Sequence, residues 1–170
     1  MSDSEEFRAF VFARSRELLR AAWMLTGDWA GAEDLLQSAL IVTWRRWSSV
    51  TRRDAPEAYV RRVMFHNFLR SRRRSWTRET ATGRLPEHAT TTDEYERADS
   101  RQTLITALAQ LPPRQRAAVT LRYYLDLSEA QTAEVLGCST GAVKSHTAKA
   151  RARLRATPGL AELLIRGVQS

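Results

Sequence analysis

SEAQTAEVLGCSTGAVKSHTAKARARLR, residues 128–155, sets two amphipathic helical patterns end to end with only about three residues between them. So short a joint constrains the pair to a helix-turn-helix. Ser128 with Gln131 three residues on predicts a capping box, and Gly137 suits the left-handed residue that ends the first helix. Ser139 or Thr140 then opens the second. Its inner row is Val143, Thr147, Ala150 and Leu154, at steps of four, three and four.

In a helix-turn-helix the second helix enters the major groove, and residues near its N-terminus reach base edges. Gly141 and Ala142 keep its opening small, so the backbone can come close. Lys144, Ser145, Ala148 and Lys149 fall on the faces left outside once Val143 and Ala150 turn inward. Arg151, Arg153 and Arg155 lie lower, where cations suit phosphates and supply affinity without sequence information. The alternatives are a basic helix that only packs and solvates, or one lying on an acidic membrane. A membrane-surface helix carries Trp, Phe and several Leu on its apolar face; this one carries Val, Thr, Ala and Leu, which fits DNA binding better.

Charge supports the same reading. The net charge of +8 divides into −3 over residues 1–40, +8 over 41–75, −2 over 76–102 and +5 over 103–170. Two separated basic blocks on helical patterns fit a polyanion held at two places. Enzyme chemistry finds no foothold: there is no Gly-rich phosphate loop, nucleophile elbow or HExxH helix, and Glu33 and Asp34 have no partner arrangement for acid–base work. Cys138 is the only cysteine, and His66, His88 and His146 are far apart, so the expectation is no metal and no cofactor. No apolar run approaches the roughly 20 residues that span a bilayer, and MSDSEEFRAF is acidic where a secretory signal is basic. A folded protein of the cytoplasm, with no membrane partner, is expected.

Ahead of residue 75 the periods are helical throughout. Phe7, Phe10, Val11, Leu18, Ala21, Ala22 and Leu25 predict a first helix that stops at Thr26-Gly27-Asp28. Ala32, Leu35, Leu36, Ala39, Thr43 and Trp47 make the next stripe, leaving Glu33, Asp34 and Gln37 on the opposite face. SSVTRRDAP, 48–56, reads as a polar loop whose Asp54 forms a capping box with Glu57. The helix after it turns Tyr59, Val60, Val63, Met64 and Phe68 inward and crowds Arg61, Arg62, Arg70, Arg72, Arg73 and Arg74 outside. Residues 76–102 lose apolar periodicity and read as a linker between domains at 1–75 and 103–170. Pro112-Pro113 then opens the helix at RQRAAVTLRYYL.

With these motifs in place the chain resembles bacterial RNA polymerase sigma factors of the extracytoplasmic-function group, the short actinobacterial kind of the sigma-70 family. LTGDWAGAEDLLQSALIVTWRRW, 25–47, is similar to sigma region 2, APEAYVRRVMFHNFLRSRRR, 55–74, to the helix after its promoter-opening loop, and residues 111–155 to sigma region 4. The resemblance implies an all-α fold: a region 2 bundle and a region 4 helix-turn-helix joined by a flexible linker. It implies a subunit that does no chemistry but joins core RNA polymerase, through its beta-prime and beta subunits, and directs it to promoter DNA. Glu33, Asp34 and Gln37 match the surface that docks on the beta-prime coiled coil. Arg45, Arg46, Trp47, Arg52, Arg53, Arg61, Arg62, Asn67, Arg70 and Arg73 match the part that opens and reads the minus-ten element. Ser139, Thr140, Gly141, Lys144, Ser145, Ala148, Lys149 and Arg151 match the face that reads the minus-thirty-five element. An inhibitory anti-sigma partner is an expectation of the same kind, with no residue that identifies it.

Some readings stay open at this level. Trp44 and Trp47 lie one turn apart, so at least one belongs to the core. Asn67 falls near the apolar stripe, where an internally bonded amide competes with a DNA role. The tail PGLAELLIRGVQS packs on the C-terminal domain or docks a partner, and the acidic linker is a tether or a nucleic-acid mimic in the polymerase. At Ala148 relatives can carry bulkier side chains, which shifts weight toward DNA shape. The rival function is a stand-alone helix-turn-helix regulator of the response-regulator output type. That type needs an N-terminal alternation of strands and helices, which residues 1–75 lack.

Overall fold

The computed structural model describes residues 1–52, 56–75 and 92–160, and among these every regular element is helical. Helix α1 (Asp3–Thr26) begins at Ser2, whose hydroxyl receives the Glu5 N–H while the Glu5 carboxylate receives the Ser2 N–H at 2.9 Å. It ends at Gly27, whose φ of 83° only glycine adopts freely. Asp28 caps α2 (Trp29–Arg45) by accepting from the Gly31 N–H at 2.6 Å. A short α3 (Trp47–Thr51) and a long α4 (Pro56–Ser75) complete the first half. Leu18, Ala21, Ala22 and Leu25 of α1 meet Ala32, Leu36 and Ala39 of α2 and Val60, Met64, Phe65 and Phe68 of α4. Each large side chain so buried contributes about 1.5–3 kcal/mol.

Two sequence expectations change here. The stretch 48–56 is not loop from its start: Ser48 to Thr51 close a helical turn, with the Ser49 and Val50 N–H groups bonding the Arg46 carbonyl. Trp47 and Val50 bury their side chains and so pull the backbone into that turn. The proposed cap at Asp54 lies outside the described residues, as do residues 76–91 of the expected linker. The expected linker end at Gln102 falls inside helix α5 (Thr92–Ala109).

The second half continues with α6 (Pro113–Val119), which widens into a π turn over Thr120–Tyr124, then α7 (Glu129–Leu136) and α8 (Thr140–Arg155). Pro113 stands at the first helical position of α6, where its missing N–H costs nothing. Ile105, Leu108 and Leu111 pack on Val119 and Ala150.

The two halves do not sit apart. Ala117, Ala118, Leu121, Leu125, Val135 and Leu136 join the apolar cluster of α1, α2 and α4, so one core runs across both. Arg116 of α6 is 6% exposed and reaches through this seam. Its guanidinium donates to the carbonyls of Leu25 at 2.7 Å, Leu111 at 3.0 Å and Ala109 at 3.2 Å, and lies 5.6 Å from the centre of the Phe68 ring. Burial, with Arg72 nearby, pulls its pKa down to about 10. It stays charged at neutral pH, held by carbonyls of the α1 C-terminal turn and of the α5–α6 connection rather than by an acid.

Candidate nucleic-acid interface

The α7–α8 pair is built as the sequence dictates. Ser128 and Gln131 form a reciprocal capping box, with Gln131 N–H to Ser128 Oγ at 3.1 Å and Ser128 N–H to the Gln131 amide oxygen at 2.9 Å. Gly137 takes φ 64° and ψ 39°, and the Ser139 hydroxyl then accepts from the Ala142 N–H at 3.0 Å to start α8. Val143 and Ala150 are fully buried. A Cβ on Gly141 would meet nothing nearer than the Ser139 hydroxyl at 3.8 Å, so internal packing does not impose that glycine.

Opposite the buried row, Ser139, Thr140, Gly141, Lys144, Ser145, Ala148, Lys149 and Arg151 are all exposed. This one helix therefore presents a small-residue opening, two lysines and a distal arginine together. Lys144 stands 3.7 Å from Glu129 of α7, an exposed pair of little energetic weight. Arg151 lies over the ring of Tyr123, which is 56% exposed and was not anticipated. Its position in the π turn, which no sequence period signals, brings it to this face.

The residues expected near the minus-ten element are scattered. Arg45, Arg46 and Arg52 are exposed around α3; Arg53 lies outside the described residues. Trp47 is corrected: it is 4% exposed, with its ring edge-on to Phe7 at 5.1 Å and 5.5 Å from Phe10. Packed against two rings, it offers little surface to a base in this arrangement; of the two, Trp44, 44% exposed with its ring 5.0 Å from that of Phe7, is the indole that reaches solvent. Arg61 is half-buried and bonds Glu57 at 2.8 Å, and Glu57 also holds Arg14 at 2.9 Å, so Arg61 belongs to an internal network. Arg62 points at α7, 3.5 Å from Glu134.

Asn67 is half-buried and accepts from Arg70 at 3.1 Å. Both line an open cleft of about 680 Å³ between α2 and α4, whose walls also hold Asp28, Asp34 and Arg72. Glu33, Asp34 and Gln37 are exposed on α2, and of the three only Asp34 lines the cleft that Asn67 and Arg70 share. Arg73 is exposed farther along α4. Among the described residues no three His, Cys, Asp or Glu side chains gather as metal ligands, and no helix is long and apolar enough to cross a membrane.

Comparison with known proteins finds matches in both halves of the chain. The family description Sigma-70 region 2 matches residues 10–78, and Sigma-70, region 4 matches residues 101–154. The RNA polymerase sigma-E factor of Streptomyces avermitilis is 39% identical over 150 residues, covering 88% of this chain and 83% of that protein. The ECF RNA polymerase sigma factor SigL of Mycobacterium tuberculosis is 33% identical over 154 residues, covering 88% and 87%. In fold, the chain is similar to the sigma factor RpoE of Bartonella quintana, solved with the anti-sigma factor NepR, at TM-score 0.70 and 23% identity over 89% of this chain and 95% of that one. It is also similar to CnrH, solved with the cytosolic domain of CnrY, at TM-score 0.62 and 20% identity over 96% and 90%. The chain belongs to the extracytoplasmic-function group of the sigma-70 family of RNA polymerase sigma factors.

Proposed function

We propose that this chain is a promoter-specificity subunit: it binds core RNA polymerase, through the beta-prime and beta subunits, and directs initiation at a two-part promoter without catalysing a reaction. The observation that carries the reading is the exposed face of α8, where a small-residue opening and flanking cations stand opposite a fully buried Val143 and Ala150. That face reads the minus-thirty-five duplex, with Lys144, Ser145, Ala148 and Lys149 toward bases and Arg151 toward phosphate. Region 2, residues 1–75, docks through Glu33, Asp34 and Gln37 on an arginine-rich polymerase helix, for which acid and amide groups are suited. Arg45, Arg46, Arg52, Asn67, Arg70 and Arg73 hold the opened minus-ten strand, and Trp44 supplies the stacking surface. Residues 103–170 form region 4. The work is done in the cytoplasm, and an anti-sigma partner, like the NepR bound to the RpoE of Bartonella quintana, restrains it.

The packed seam fits this role only if it opens. A folded chain of this length spans roughly 40 Å, whereas elements about 25 base pairs apart are separated by roughly 85 Å at about 3.4 Å per step. Binding core polymerase therefore separates the halves, breaking the Arg116–Leu25 and Arg62–Glu134 contacts.

Footprinting with and without core polymerase tests the reading. A specificity subunit protects two unlike elements only when polymerase is present. A palindromic footprint made by the chain alone would favour the stand-alone regulator instead.

A further inference from the structure

Between α4 and the start of α6, cations gather with no counter-charge among the described residues. Two adjoining clefts of about 350 and 340 Å³ share Leu69, Arg73 and Arg114 in their walls; Arg72 and His146 also line one, beside Pro112 and Pro113, and Arg70 and His66 the other, beside Leu136. No described Asp or Glu lines either cleft. Among the described residues none of the four arginines is ion-paired: Arg70 donates to the neutral amide of Asn67, and Arg72 lies 5.6 Å from the centre of the Phe68 ring. The local field is visible in His146, whose pKa is held down by burial first and then by Arg114 and Lys149. Like charges drawn together by packing lower the cost of taking in an anion.

We propose that the paired clefts are a binding site for an oligophosphate, a chain of two or more phosphoryl groups, free or carried by a nucleoside, that bridges Arg73 of α4 and Arg114 of α6. Guanidinium forks match phosphoryl oxygens bidentately, and both imidazoles lie within the walls as further donors. The volumes are those of small-ligand sites. Because the walls come from both halves, the site exists only while they are packed, and its ligand favours the packed arrangement by mass action. This goes beyond promoter recognition and does not depend on it.

The test is calorimetric titration of the full chain in about 0.15 M salt with sodium tripolyphosphate in one arm and ATP in the other, with no polymerase or DNA present. One saturable site per chain is expected, weakened about tenfold or more by Arg114→Gln and by Arg73→Gln and unchanged by Arg20→Gln, an exposed cation of α1 outside both clefts. Circular dichroism checks that each variant is folded. Tighter binding in either arm supports the site and identifies the source of the phosphate chain. Equal weakening by all three variants, unsaturable uptake, or loss of single-stranded oligonucleotide binding in Arg114→Gln with no tripolyphosphate binding by the parent chain would each overturn the proposal.

Discussion

The guanidinium of Arg116 donates to the carbonyl oxygen of Leu25, 91 residues away in sequence, at 2.7 Å inside a core shared by both halves of the chain. Two more carbonyls depend on the same side chain. Replacing it with Met keeps the aliphatic bulk and leaves buried acceptors unpaired. Arg116→Met is expected to cost about 2–3 kcal/mol, read as a lower urea midpoint. Fluorescent labels on α2 and α8 are also expected to report a larger separation in this variant, and in the parent chain once core polymerase is added.

The two neighbouring indoles are expected to separate stability from function. Trp47→Ala removes a ring packed on Phe7 and Phe10 and costs about 3–5 kcal/mol in denaturant unfolding. Trp44→Ala, at a position 44% exposed, loses one tilted ring contact with Phe7 at 5.0 Å and costs less, about 1–2 kcal/mol, and it reduces permanganate reactivity of the opened promoter strand.

Gly137 tests the turn. Its left-handed φ is the only constraint there, because an added Cβ would have nothing within 4 Å. Gly137→Ala is expected to lower stability by about 1–2 kcal/mol and Gly137→Asn by less, measured by thermal melting. Minus-thirty-five binding falls with the loss of fold in both.

Along α8, position along the helix separates specificity from affinity. Arg153→Ala is expected to weaken promoter binding evenly across sequences and to reduce the salt slope by about one. Lys144→Ala is expected to change base preference within the minus-thirty-five element, measured by promoter selection. Its ion pair with Glu129 is exposed, so helix stability changes little.

Local signals carried most of the fold. Ser128, Gln131, Gly137 and Ser139 each impose a backbone geometry within a few residues, and the α7–α8 pair follows directly from them. Trp47 shows what a motif can obscure: it continues the row Ala32, Leu36, Ala39, Thr43, all buried, yet similarity to a DNA-reading segment drew it to the surface. The period was the better guide. Arg116, Arg114 and the Arg62–Glu134 contact were not legible, because they depend on how two halves pack across many intervening residues. Tyr123 was missed because a π turn rotates it away from the helical period that precedes it.

The central claim is that this chain gives core polymerase a promoter preference. Core RNA polymerase reconstituted with the purified chain and supplied with genomic fragments of its own source tests it directly, by sequencing transcript 5′ ends. The account predicts discrete starts that share two upstream elements, lost when Lys144 and Lys149 are both changed to Ala and absent with core enzyme alone. Starts no more selective than those of core enzyme, or a chain that fails to bind core, would contradict it.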